Sequence, residues 1–317
     1  MMMRKKIVAC AVASIFCASL ASMAADNKTS TPAKPASAAL LPPQNALPAK
    51  PLNLPKLTAE QIVDRNMVAR GGLAAWQRVQ SMTMAGKLDA GKVRKDGGKI
   101  VTADSKFART QARAEVRKTL FDNKEGGAED DKVIQLPFQF DMKRPLKTRL
   151  EVPFQGQTAV QVYDGAQGWK LRPFLGRHEV EPYTAQEMKV AADQQPLDGP
   201  LINHAAKGTK VAVDGAEQVD DHDAYRLKLT LKNGDVRHLW VDAKTFLDLK
   251  FEGPPRRFDG KMRPVMTVFR DYKSVDGLMI PHLFETSVDG IRGSEKIVVD
   301  KVAVNPQLDD TRFAKPL

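Results

Sequence analysis

Cysteine is almost missing from this chain. Its 317 residues include two, Cys10 and Cys17, and both lie within the first 24. A protein that loses this leader has no thiol, which excludes disulfide staples, thiolate metal sites and thiol catalysis together. Aromatic residues make up only 6%. The five histidines, His178, His204, His222, His238 and His282, are widely spaced. None of the G-x-S-x-G, H-E-x-x-H, G-x-x-x-x-G-K-[ST] or G-x-G-x-x-G patterns occurs, so the common hydrolase, metalloprotease and nucleotide-binding signatures are absent. No block of five like charges appears, which argues against a nucleic-acid-binding tail. The longest apolar run, Ile7–Leu20, has 14 residues, short of the about 20 that a spanning helix needs.

What is present begins with an export signal. Arg4, Lys5 and Lys6 form a positive n-region, Ile7–Leu20 an apolar core, and Ser22-Met23-Ala24 a small-residue cleavage site. Residues 1–24 are therefore expected to be a signal peptide cleaved near Ala24, and the mature protein is expected in the periplasm. Ile7-Val8-Ala9-Cys10 resembles a lipidation site, but three apolar residues between Lys6 and Cys10 are too few for its apolar segment. Removing the leader takes three positive charges from the formal +11 and leaves +8 on 293 residues. These charges are dispersed, so peripheral contact with anionic lipid headgroups is expected and nucleic acid is not. Residues 25–56 carry seven prolines (Pro32, Pro35, Pro42, Pro43, Pro48, Pro51 and Pro55) among Ala, Ser and Thr, the composition of an extended, disordered linker. Residues 57–317 form the folded domain.

That domain opens with a helix capped by Thr58, carrying Ile62, Val63, Met67 and Val68 at helical spacing and stopping at Gly71-Gly72. Residues 73–79 form a second short helix. Period two then takes over. Leu146, Thr148, Leu150 and Val152 alternate with charged residues, Tyr225, Leu227, Leu229 and Leu231 with Arg226, Lys228, Thr230 and Lys232, and Leu247, Leu249 and Phe251 with charged residues again. Such strands have one apolar and one wet face and belong to an antiparallel sheet. Turn dipeptides separate them: Asp164-Gly165, Asp214-Gly215, Asn233-Gly234, Asp276-Gly277 and Asp289-Gly290. The pattern breaks twice, at a charged excursion over 90–132 and at a helical interruption from Thr184, an N-cap candidate, to about Ala206. About ten or eleven strands are expected. A sheet this long with one apolar face must cover it, and the few short helices suit a mainly β (α+β) fold, an incomplete antiparallel barrel wrapped around them and enclosing an apolar cavity.

Candidate chemistry is sparse. Asp220-Asp221-His222-Asp223 could ligate a metal but reads as a polar hairpin tip. His282 follows Pro281 with no serine or aspartate partner in view. Trp76, Trp169 and Trp240 could stack on a ligand or fill the core.

Several segments together resemble one family. They are Gln61 to Trp76 with Arg70-Gly71-Gly72-Leu73; Phe138 to Leu150 with Met142-Lys143-Arg144-Pro145; Tyr163-Asp164-Gly165 with Gly168-Trp169; and Tyr272 through Gly277-Leu278 to Pro281-His282. In order and spacing this set resembles the outer-membrane lipoprotein-sorting proteins of the LolA/LolB-like superfamily. The resemblance implies an incomplete barrel around helices, a periplasmic location and an apolar cavity for acyl chains. Members carry lipoproteins or lipids or serve as envelope sensors, and none needs a metal or cofactor. The excursion and the linker are departures from the family pattern. Its carriers hold a lid with an arginine, and no arginine of this sequence is singled out for that role.

A carrier for an acylated or otherwise apolar ligand, lipoprotein or lipid, is the leading expectation, with no catalysis, a monomeric state and an envelope protein as possible partner. Leu150, Val160, Val162, Trp169, Leu227, Leu229, Leu239, Val241 and Leu249 are the expected cavity wall; Phe174, Leu175, Met188 and Leu201 the expected mouth and lid. The alternatives are a sensor or interaction protein whose barrel is filled, and a periplasmic hydrolase.

Overall fold

The computed structural model describes residues 52–93, 100–101, 132–173, 177–194, 197–258, 260–291 and 293–317. The expected signal peptide, most of the linker, most of the charged excursion, and Phe174 and Leu175 lie outside the described residues.

Helix α1 spans Ala59–Ala69. Its Thr58 Oγ1 accepts from the Gln61 N–H at 3.2 Å and its N–H donates to Gln61 Oε1 at 2.9 Å, a reciprocal cap for two of the helix's orphan donors. Arg70-Gly71-Gly72 then turns the chain into α2, Leu73–Arg78. Gly71 has φ +108°, and a Cβ there would lie 2.3 Å from the Gly277 carbonyl oxygen. Only glycine fits a left-handed residue pressed against the backbone of the Asp276-Gly277 turn.

Fourteen strands follow: β1 Ser81–Val93, β2 Ile100–Val101, β3 Lys132–Lys143, β4 Lys147–Phe154, β5 Gln157–Tyr163, β6 Gly168–Arg172 and β7 Arg177–Pro182; then, after helix α3 (Ala185–Asp193), β8 Lys210–Val219, β9 His222–Thr230, β10 Val236–Asp242, β11 Asp248–Phe258, β12 Lys261–Val275, β13 Leu278–Val288 and β14 Glu295–Val304. They form one antiparallel sheet in the order β7-β6-β5-β4-β3-β1-β14-β13-β12-β11-β10-β9-β8, with β2 paired to β1. The chain enters at the centre, meanders out to β7, crosses to the far edge β8 by way of α3 and residues 197–209, and meanders back to β14 beside β1. The sheet is open: its edges β7 and β8 are consecutive in sequence, and a helix-and-turn segment joins them. An incomplete antiparallel barrel around short helices is the fold found.

Among the described residues the strand count exceeds ten or eleven, for a physical reason. The edge strand β7 is mostly solvated, so it shows no apolar alternation, and β2 falls within the segment read as a charged excursion. Asp214-Gly215 is also no turn. It sits inside β8, where the register slips between Val213 and Gly215 and Gly215 takes φ +125°, a β-bulge. Asp276-Gly277 is the tight hairpin expected of it, with both residues at positive φ (50° and 81°). Asp220-Asp221 is the tip between β8 and β9, with Asp220 at φ 51°.

Side chains on the inner face gather into two clusters. The larger draws on β1, β3, β4, β13 and β14, with Met84, Leu88, Phe138, Phe140 and Ile297 among its members, and takes Trp76 from α2. The smaller packs β9 and β10 against Ile62 and Val63 of α1. Leu54 and Leu57 pack on this second cluster, and Tyr225 Oη donates to the Pro55 carbonyl at 3.0 Å, so the fold begins before residue 57. No described helix is long and apolar enough to cross a membrane.

Candidate apolar-ligand site

Besides α1 and α2, the crossing between the two sheet edges covers the inner face. Thr184 caps α3: its Oγ1 accepts from the Glu187 N–H at 3.3 Å, and its own N–H donates to Glu187 Oε2 at 2.7 Å. Residues 197–208 then fold into successive turns. Leu201 belongs to the smaller cluster, while Leu197 and its neighbour Ile202 belong to the larger. Leu201 and Ile202 are fully buried, so this one segment plugs both halves of the interior.

Charge fastens the plug at Asp198, itself 4% exposed. The Arg144 Nη2 donates to Asp198 Oδ1 at 2.6 Å and Nη1 to Oδ2 at 3.1 Å, a bidentate pair. Lys207 Nζ lies 3.3 Å from Oδ2 and donates to the Gly199 carbonyl at 2.9 Å. Burial pushes the Lys207 ammonium below its ordinary value, and Asp198 opposes that fall. Arg70 Nη1 donates to the Asp198 carbonyl at 2.8 Å. A shallow cleft runs beside this latch, between the β3–β4 turn and Leu197-Asp198.

Behind the latch lies a buried polar cluster. Arg70 sits 4.6 Å above the Trp76 ring, and Trp76 Nε1 donates to the Arg70 carbonyl at 2.9 Å. Arg70 Nη1 is 3.7 Å from Asp248 Oδ2. Asn66 Nδ2 donates to Asp248 Oδ1 at 2.9 Å and to the Phe246 carbonyl at 2.7 Å. Burial pushes the Asp248 carboxyl above its ordinary value, against the pull of Arg70 and Asn66. A carboxyl raised on folding stabilises most when protonated and loses that contribution as pH rises through its folded value. Asp248→Asn is expected to remove this dependence, so the wild type should lose thermal stability relative to the variant as pH climbs through that window. Parallel Tm profiles would show that Asp248 is not raised.

The inner face is not apolar throughout. Beneath α3, Gln161 of β5 and Lys170 of β6 are cross-strand neighbours, and Arg172 lies on the same face two residues on. All three are buried. Lys170 Nζ reaches both oxygens of Glu187 on α3, at 2.5 and 2.7 Å. Arg172 Nη2 pairs with Glu181 at 2.5 Å. Among the described residues, Gln161 Oε1 and Arg172 Nε are buried without a hydrogen-bond partner.

The expected wall residues divide between the two faces. Leu150 lies in the larger cluster; Leu227, Leu229, Leu239 and Val241 lie with Leu201 in the smaller. Val160 and Val162 face the other way. They stand opposite Glu151 and Arg149, whose side chains meet the C-terminal segment: Arg312 pairs with Glu151 at 2.8 Å and with Asp141, and Arg149 Nη1 donates to the Arg312 carbonyl at 3.0 Å. Trp169 pairs with Val162 and shares that outer face, half-buried. Leu249 is also outside, packed with Trp240 and Val219, because a bulge between Trp240 and Val241 turns Asp248 inward in its place. For Val160, Val162 and Trp169 the cause is two-sided burial: the C-terminal segment, with Phe313 buried in a 3-10 turn (Asp310–Phe313), covers part of the outer face. Met188 on α3 is half-buried.

The other sequence candidates have structural partners. His222 Nδ1 lies 2.7 Å from Asp242 Oδ2, while Asp242 Oδ1 accepts from the Lys244 and Thr245 N–H groups at 2.9 and 2.5 Å. His282 Nδ1 is 2.9 Å from the Ile280 carbonyl. The latch residues Arg70, Arg144, Asp198 and Lys207 were not singled out by sequence; Arg70 before Gly71-Gly72 and Arg144 before Pro145 were the available signals.

No family model and no curated protein matches the chain. Solved structures do. A LolA superfamily protein from Nitrosomonas europaea is similar at 14% identity and TM-score 0.47, over 82% of this chain and 99% of that one. A DUF1329 family protein from Desulfovibrio piger is similar at 14% and 0.46, over 81% and 97%. A putative outer membrane lipoprotein-sorting protein domain from Vibrio parahaemolyticus is similar at 11% and 0.45, over 80% and 95%.

Proposed function

We propose that this protein is a periplasmic carrier for an apolar acylated ligand, a lipoprotein or lipid, in outer-membrane lipoprotein sorting or envelope lipid transport. The observation that supports this reading is the plug. An open sheet has its apolar inner face covered at its one gap by a short segment, and that segment is held by charged side chains rather than by a strand ladder. Moving Leu201 and Ile202 aside exposes Leu227, Leu229, Leu239 and Val241 on one half and Leu150 on the other, and acyl chains take the vacated volume. Each buried CH₂ contributes about 0.8 kcal/mol, so an acyl chain supplies the free energy to displace two aliphatic side chains and the contacts that three cations, Arg70, Arg144 and Lys207, make with the plug.

Asp198→Ala removes the acceptor shared by Arg144 and Lys207. It is expected to raise the uptake of a fluorescent fatty acid severalfold while costing about 1–3 kcal/mol of stability. Native mass spectrometry of the wild type should show co-purifying lipid. A protein that is empty as purified and takes up no fatty acid even as Asp198→Ala would reject the carrier reading. That result would favour an envelope sensor with a filled barrel, a reading supported by the side chains that already occupy both clusters.

A further inference from the structure

At one end of β11 and β12 the sheet carries a projection that the carrier reading does not use. β12 pairs with β13 only as far as Val265 opposite Val288, and β11 pairs with β10 only as far as Phe251 opposite Leu239. Beyond those rungs the two strands continue as a two-stranded ribbon held by its own ladder: Arg256 opposite Arg263, Arg257 opposite Met262, Phe258 opposite Lys261. Its base is tied down, with Arg263 Nη1 donating to the Asp289 carbonyl at 3.1 Å and Arg256 Nη1 3.7 Å from Glu295. The tip is not. Arg257 and Lys261 are exposed and form no ion pair among the described residues. Met262 is 52% exposed, one of the most exposed large apolar side chains described, and Phe258 is half-buried. Residues 256–263 hold four cations against one acid, Asp259. Strand direction puts the ribbon at the end of the sheet opposite the end where Gly71 meets Gly277.

We propose that the tip of the β11–β12 ribbon, Arg257, Phe258, Lys261 and Met262, is a docking element for an anionic lipid surface. A cationic ribbon alone would suit any polyanion. The pairing of cations with an exposed Met and a Phe on a narrow tip suits a bilayer interface, where ammonium and guanidinium groups meet phosphates and the apolar side chains enter below them. The inference goes beyond the carrier reading and holds whether or not the interior takes a ligand.

The test is co-sedimentation of the full mature chain with vesicles of phosphatidylethanolamine and phosphatidylglycerol in a roughly three-to-one ratio, against pure phosphatidylcholine. Binding to the anionic vesicles that weakens with salt is expected, with little to phosphatidylcholine. Arg257→Ser/Lys261→Ser should weaken it by roughly tenfold or more. Met262→Ser should weaken it severalfold and leave the salt dependence intact. These positions are exposed, so unchanged Tm values certify the fold of each variant. Equal binding to both vesicle types, or variants that bind like the wild type, would overturn the proposal. So would binding of duplex DNA that matches the anionic vesicles and is indifferent to Met262.

Discussion

Replacing Trp76 with alanine is expected to lower the unfolding free energy by about 3–5 kcal/mol, read as a fall in the urea midpoint at constant m. Trp76 is 2% exposed and is the largest fully buried side chain. It is the residue through which the six-residue helix α2 enters the larger cluster, so truncation leaves a ring-sized void that a helix this short cannot collapse to fill. Its Nε1 also ties α2 to the Arg70 carbonyl, and its ring carries the Arg70 guanidinium. Trp76→Phe separates the contributions. It keeps most of the apolar volume and loses the N–H, and should cost about 1–2 kcal/mol. The Arg70 carbonyl keeps a second donor, the Met279 N–H at 3.2 Å, which limits that loss. An alanine variant destabilised by less than 1 kcal/mol would mean that α2 is not part of the cooperative unit.

Elements whose physics is local were legible from sequence. The Thr58 and Thr184 caps, the Gly71-Gly72 stop and the Asp276-Gly277 hairpin each depend on a few adjacent residues, and each is found. Facing was legible where one side of a strand is wet: Leu227 and Leu229 lie inside, as their alternation predicts. It failed where both faces are buried. Val160 and Val162 alternate as well as Leu227 and Leu229 do, yet they face outward, on the side where the C-terminal segment returns from more than 140 positions away to meet their cross-strand neighbours Arg149 and Glu151. Leu249 failed for a smaller reason, a one-residue bulge that turns Asp248 inward in its place. The latch around Asp198 was illegible because its members lie 54 or more residues apart where they pair across elements, and nothing in the local surroundings of Arg70 or Arg144 says what they will meet. Lys170 was misleading outright. In a strand that reads Gly-Trp-Lys-Leu-Arg, the apolar residues claim the interior by composition. The charged ones take it, because α3 brings Glu187 to that side.

That inversion makes the second large effect. Lys170→Met is expected to cost about 3–5 kcal/mol, since it strands the Glu187 carboxylate, 2% exposed, without its cation. Removing both charges should recover most of the loss, because a buried ion pair gains little over a neutral pair of similar volume. The double variant has to keep the α3 cap, for Glu187 Oε2 also accepts from the Thr184 N–H. Lys170→Met/Glu187→Gln does so, as glutamine fills that capping position, and it should fall within about 1–2 kcal/mol of the wild type, whereas Glu187→Ala would add about 1 kcal/mol for the lost cap. The size of the coupling in this cycle tells whether α3 belongs to the global fold or to a separately opening lid. If α3 unfolds only with the sheet, the Lys170→Met deficit appears in the urea transition. If α3 opens by itself, the global transition hardly moves and the deficit appears as faster amide exchange confined to α3 and residues 197–208. The carrier reading requires the second pattern, and a filled, static barrel requires the first.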